Sequence, residues 1–186
     1  MNIDLPMKTR SRLVGFFIII AYSMLVGFAT ESKAVVCIAD IVSGVAVVGI
    51  AVLMRPLLAK FGEMTSKLYL LLKWIEGLLM VLSGLFYLNT NMQYLRGVIY
   101  DRVHIYAFVV SGLLFYILLL RSSLIPKFIA IWGLVGILAL MVSTVLGWFS
   151  ISYALIDALI LLIITNEFFL AGWLWIKGLN KKVLTN

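Results

Sequence analysis

Residues 128–149 read FIAIWGLVGILALMVSTVLGWF. No charged residue interrupts the run, and Pro126-Lys127 mark its start. At about 1.5 Å per residue a helix of this length crosses a bilayer core of about 30 Å. Backbone groups in hydrocarbon must be satisfied within the chain, which leaves a helix or a closed barrel. Barrel strands would alternate apolar and polar residues, and this run does not. It predicts a transmembrane helix.

Working outward, five more runs have the same character. They are Leu13–Ala29, Ala34–Met54, Leu68–Leu88, Val103–Leu120 and about Ser152–Ile176, each bounded by charges or turn residues. The composition agrees. The chain is 64% hydrophobic and 12% charged, with a mean hydropathy of +1.15. Soluble domains carry about a quarter charged residues, so a soluble enzyme, a nucleic-acid-binding domain and a disordered tail are excluded. The expected fold is all-α: a polytopic membrane protein, one bundle of six transmembrane helices over residues 1–186 with short loops. The first run is read as a retained helix, because it is longer than the roughly 7–15 apolar residues of a signal peptide.

Lys and Arg set the expected orientation. Eleven flank the spans on the side that carries both termini, among them Lys8, Arg55, Lys127 and Lys177. Only Lys33, Arg96 and Arg102 lie on the other side. By the positive-inside rule both termini are cytoplasmic, in the cytoplasmic (inner) membrane of a prokaryote. The net charge of +7 then meets anionic lipid head groups rather than nucleic acid. The stretch Arg55–Lys67 is expected to lie partly in the interface as an amphipathic turn. Asn89–Arg102 is expected to be the longest polar external loop, with Tyr94 and Tyr100 in the aromatic belt.

Five ionisable residues fall inside spans: Asp40, Lys73, Glu76, Asp157 and Glu167, with His104 at the outer end of the fourth. A charge at a helix centre costs about 2.5–3.5 kcal/mol on insertion scales, so each needs a partner, a wet cavity or neutralisation. Small and polar residues share their faces: Ser43 and Gly44 beside Asp40, and Gly77, Ser83 and Gly84 beside Glu76. In the fifth span Gly133, Gly136, Ser143 and Gly147 line up. Such stripes let helices approach closely. Asp40, Asp157 and His104 form an outer layer; Lys73, Glu76 and Glu167 form an inner one. Lys73 and Glu76 are spaced to pair on one helix. Glu167 either shares Lys73 or is neutralised by burial. One reading makes these charges packing pairs that fix helix register. The other makes them the lining of a polar cavity that binds a ligand or relays protons. Two layers favour the cavity, since one pair would suffice as a staple.

The remaining chemistry is sparse. A single His excludes bis-His haem ligation and a His-rich zinc site within one chain, and a single Cys excludes an internal disulfide. Cys37 has no His beside it and is read as packing. No metalloprotease, phosphate-loop or serine-elbow motif occurs. No cofactor is expected.

The stretch Ser122-Ser123-Leu124-Ile125-Pro126-Lys127, with Ser11-Arg12-Leu13-Val14-Gly15, Ala39-Asp40, Lys73-Trp74-Ile75-Glu76, His104, Asn166-Glu167 and Trp173–Gly178, resembles a bacterial six-helix membrane family, domain of unknown function 4386. The resemblance runs from Arg12 to about Gly178. It implies the six-helix topology and picks out Asp40, Lys73, Glu76, His104 and Glu167, but it brings no reaction. Members often carry Arg in place of Lys73. Lys keeps the charge and loses the bidentate fork.

Three functions are open on the sequence. The first is a small membrane protein whose polar pocket binds or moves a small apolar or cationic ligand or protons, with Glu76 and Glu167 titrating. The second is an accessory or immunity-type subunit acting through helix contacts. The third is a membrane-embedded enzyme on a lipid or isoprenoid, which lacks a metal-ligand cluster to support it. The expected partners are the lipid bilayer, such a ligand, and a second copy or another membrane protein, with no nucleic acid.

Overall fold

A computed structural model describes residues 5–149 and 154–181, and the side chains of these except 154–159. Among the described residues the structure is helical, without strands. Helix α1 (Met7–Ala21) tightens into a 3-10 segment, Tyr22–Phe28. Helix α2 (Lys33–Leu58) and helix α3 (Glu63–Leu88) are joined by a tight turn through Gly62. A short turn leads to α4 (Tyr94–Ile99), which passes through a π-helical turn, Tyr100–His104, into α5 (Ile105–Ser122). Helices α6 (Lys127–Trp148) and α7 (Ala154–Ile176) follow.

Among the described residues five stretches are long and apolar enough to cross a membrane: Met7–Phe28, Lys33–Phe61, Glu63–Leu88, Thr90–Ser122 and Lys127–Trp148. A shorter apolar helical stretch, Ile160–Ile176, adds to them. Their surfaces are inverted relative to a water-soluble protein. Asp40, Ser43 and Asn166 are 0% exposed, while Ile38 is 61% and Leu78 58% exposed. Burying polar groups and exposing aliphatic ones is stable where the surroundings are hydrocarbon, and costly in water.

Each long helix packs against the next: α1 on α2, α2 on α3, α3 on α5, α5 on α6 and α6 on α7. Helix α7 returns to α1 and closes the ring. The tightest seam is α2 against α3. A Cβ on Gly44 would lie 2.5 Å from the Gly77 carbonyl oxygen, and one on Gly77 would lie 2.7 Å from that of Gly44. The two backbones therefore touch without an intervening side chain, as expected from the small-residue stripes. Gly147, placed on the same footing by its spacing, faces open space and has no such role.

Two regions differ from the sequence reading. Helices α2 and α3 run through most of the stretch expected as an amphipathic turn. Arg55 bonds Glu63 at 2.9 Å and Lys67 bonds Glu63 at 3.2 Å, so charges that seemed to end the helices pair at the turn instead. The external loop expected at Asn89–Arg102 is helical over most of its length, and Arg96 and Tyr100 are buried. Tyr94 alone of the two tyrosines is exposed.

A Gly77→Val variant places methyl groups against the Gly44 backbone. It is expected to cost about 1–3 kcal/mol or more and to lower the melting temperature in detergent. Gly147→Val, at an open position, should leave that temperature unchanged.

Candidate functional site

Apart from Arg10 near the start of α1, the buried charges form two clusters, and the half-buried Glu167 stands outside both. Asp40, on α2, meets Arg96, on α4. Arg96 Nε donates to Asp40 Oδ2 at 2.9 Å, and its terminal nitrogen donates to Oδ1 at 3.0 Å and to the Met24 carbonyl at 3.3 Å. The Tyr100 hydroxyl donates to the same Oδ1 at 2.9 Å. The guanidinium also lies over the rings of Phe28 and Tyr100, 4.2 and 5.0 Å from their centroids. Gly27 is required here, since a Cβ would sit 2.5 Å from the guanidinium. Two-oxygen clamping and stacking are what an arginine supplies and a lysine does not. This cluster pairs opposite charges and ties α2 to α4.

Lys73 and Glu76 pair across one turn of α3, with the ammonium 3.0 and 2.9 Å from the two carboxylate oxygens. Ser111, on α5, donates to Glu76 Oε2 at 2.9 Å. The ammonium also faces the Phe108 ring at 5.2 Å. This pair too is neutral as a unit and ties α3 to α5.

Glu167, on α7, is different. Its carboxylate accepts one hydrogen bond, from the Tyr22 hydroxyl at 2.8 Å, and Tyr22 stacks on Phe168. Among the described residues no cation lies within ion-pair distance of it. Glu167 stands on the wall of a cavity of about 280 Å³ lined by the end of α1 and the Tyr22–Phe28 segment, by α3, the π-helical turn, α5 and α7, with one residue each from α2 and α6. His104, Glu76 and Tyr100 share that wall, and the cavity reaches the surface beside Phe28 and Asp101. His104 is 5% exposed, and its Nε2 has no protein partner. Its ring is held edge-on to Tyr100 and parallel to Phe108. It ends the π-helical turn, a helix irregularity often found at functional positions.

The structure therefore brings Glu76, His104 and Glu167 onto one cavity, with Lys73 behind Glu76. It does not bring Asp40 into that group. Asp157 has its side chain outside the described residues. Sequence reasoning missed Arg96, Tyr22 and Ser111. Arg96 carries a legible signal, since Arg96, Tyr100, His104 and Phe108 recur every four residues and share one helix face. Counting Arg96 as a loop charge hid it.

At the opposite end, three separate stretches converge. Leu179 N–H donates to Ser11 Oγ at 3.0 Å, and Asn180 N–H donates to the Leu124 carbonyl at 2.8 Å. The Trp175 indole donates to the Arg12 carbonyl at 2.9 Å. The start of α1, the turn between α5 and α6 and the segment after α7 are thus bolted together. A family model described as Domain of unknown function (DUF4386) matches residues 21–178. The chain belongs to this family. No curated protein and no solved structure matches it. In this DUF4386 chain the matched region takes in both charge clusters and Glu167, and of the bolted end it holds Leu124 and Trp175.

Replacing one partner of a buried pair strands the other. Asp40→Asn and Arg96→Gln should each destabilise by about 3–5 kcal/mol. The double variant should be less destabilised than the sum of the two, because neither charge is then left alone. Melting temperatures of the four proteins in one detergent test this.

Proposed function

We propose that this protein is a six-helix integral membrane protein, with both termini cytoplasmic, that binds a small ligand with an apolar body and one cationic group in the cavity at Glu167. The single observation that carries the reading is the environment of Glu167. Asp40 and Arg96 face each other, Lys73 and Glu76 do the same, and among the described residues this carboxylate has only a tyrosine hydroxyl. An acid at that depth calls for a counter-charge or a proton.

The rest of the wall fits such a ligand. Met24, Met80, Phe108 and Ile164 make most of it apolar, and aromatic faces attract organic cations. The unpartnered His104 Nε2 can supply one directional hydrogen bond. At about 280 Å³ the space lies at the small end of ligand sites. Toward the basic end, Met54, Leu58, Leu118, Leu119 and Leu124 fill the bundle. The cavity is thus blind at that end, which supports binding from one side rather than an open channel. The prokaryotic cytoplasmic membrane is the setting proposed from the basic residues gathered at the end that carries the termini.

Two measurements test this. Benzyltrimethylammonium should raise the melting temperature of the purified protein increasingly with its concentration, and Glu167→Gln should abolish the rise. An equal rise in the variant would refute the role of Glu167. For orientation, single cysteines replace Lys8 or Asn91 in a Cys37→Ser background. An impermeant maleimide added to intact cells should label position 91 and spare position 8; the reverse pattern would overturn the topology.

A further inference from the structure

Below the ligand cavity lies a second, smaller space of about 50 Å³ that shares Glu76 and Glu167 as walls. Its other polar walls are Tyr69, Tyr116 and Lys73. Both tyrosines are 0% exposed, and neither hydroxyl has a protein partner. Their rings are fixed. Tyr69 is stacked on Phe115 at 5.2 Å, and the Tyr116 ring covers Gly133, where any Cβ would collide with it. The hydroxyls therefore cannot swing away to find partners. A buried hydroxyl left unbonded is costly, and this space sets two of them beside Lys73, Glu76 and Glu167.

We propose that this chamber holds one or a few water molecules that bond the Tyr69 and Tyr116 hydroxyls and join Glu76 and Glu167 into one acid unit carrying a single proton. The proposal deepens the reading of the cavity, because it uses the same Glu167. The volume admits water, which needs roughly 10–15 Å³ of such space and two to four polar partners. Charge sets the proton count. The groups facing the chamber are Lys73, Glu76 and Tyr69 on α3, Tyr116 on α5 and Glu167 on α7, with Val47 and Ile50 from α2; the adjoining cavity adds Tyr22, Tyr100, His104 and, exposed at its mouth and outside the chamber, Asp101. One ammonium and two carboxylates leave one negative charge. One proton makes the unit neutral with His104 and the tyrosines uncharged.

The proton exchange is balanced. Glu167 gives its proton to a chamber water, and that water gives a different proton to Glu76. The water is unchanged, Glu167 becomes the carboxylate, and Lys73 passes from Glu76 to facing Glu167 across the chamber. A cationic ligand at Glu167 replaces the proton, which passes to solvent water at the cavity mouth beside Asp101, so that one positive charge enters as one leaves.

The sign of a stability change separates wet from dry. Tyr69→Phe and Tyr116→Phe remove hydroxyls that bond water, so each should lower the melting temperature of the full-length protein by a few degrees. An unchanged or higher melting temperature would mean dry, unbonded hydroxyls and would overturn the chamber. Infrared spectroscopy reads the link directly. The protonated-carboxyl stretch that vanishes in Glu167→Gln should shift in Glu76→Gln and Tyr116→Phe. A band indifferent to both would overturn the shared unit. If a variant fails to fold, the wild-type protein decides: exchange into H2-18O should shift O–H bands of bound water, and their absence would overturn the proposal. Loss of benzyltrimethylammonium binding with these infrared results intact would sink the ligand reading and leave the chamber standing.

Discussion

A charge placed inside an apolar bundle must be cancelled where it stands. Everything distinctive in this structure follows from that constraint. Asp40 on α2 is cancelled by Arg96, which lies outside the apolar runs in sequence. To reach it, the chain after α3 folds into helix rather than loop, and α1 tightens over its last turns so that Met24 can accept from the guanidinium. Lys73 and Glu76 cancel each other on one helix and recruit Ser111 from α5. The ring of helices is thus registered by polar contacts, while Leu, Ile and Phe faces are left for the surroundings. Such contacts specify register more than they add stability, because much of the Coulomb gain offsets desolvation.

Against that background Glu167 is the exception. The chain supplies a partner for Asp40 from 56 residues away and offers Glu167 only a hydroxyl. It also supplies His104 with two ring contacts and leaves its Nε2 without a protein partner. Unsatisfied polar groups in a closely packed interior persist where something outside the chain completes them. The two fully buried tyrosine hydroxyls below the cavity belong to the same pattern, on the side of the polar interior away from the opening.

The fold was largely legible because hydrocarbon imposes a short list of solutions. Runs such as 128–149 can only be helices, and the Gly44 and Gly77 stripe announces the α2–α3 seam. Helix ends were misread where charges were taken as boundaries. Arg55, Glu63 and Lys67 prolong helices by pairing with one another, which no count of apolar residues reveals. The site was legible in part. Lys73 and Glu76 are neighbours by spacing alone. The separation of Asp40 from them, and the meeting of Tyr22 with Glu167 across 145 residues, depend on which helices adjoin. A closed ring joining α7 to α1 is a tertiary fact that local periodicity does not encode.

The central claim is that the paired interior charges of Asp40, Arg96, Lys73 and Glu76 leave Glu167 as the described interior acid without a counter-charge, and that a ligand or proton completes it there. A map of the protein in lipid nanodiscs, at a resolution that shows ordered water and small molecules, tests this most directly. The account predicts non-protein density between Glu167, Tyr22 and His104, with Lys73 still paired to Glu76. Glu167 turned onto Lys73, with the cavity collapsed and dry, would contradict it.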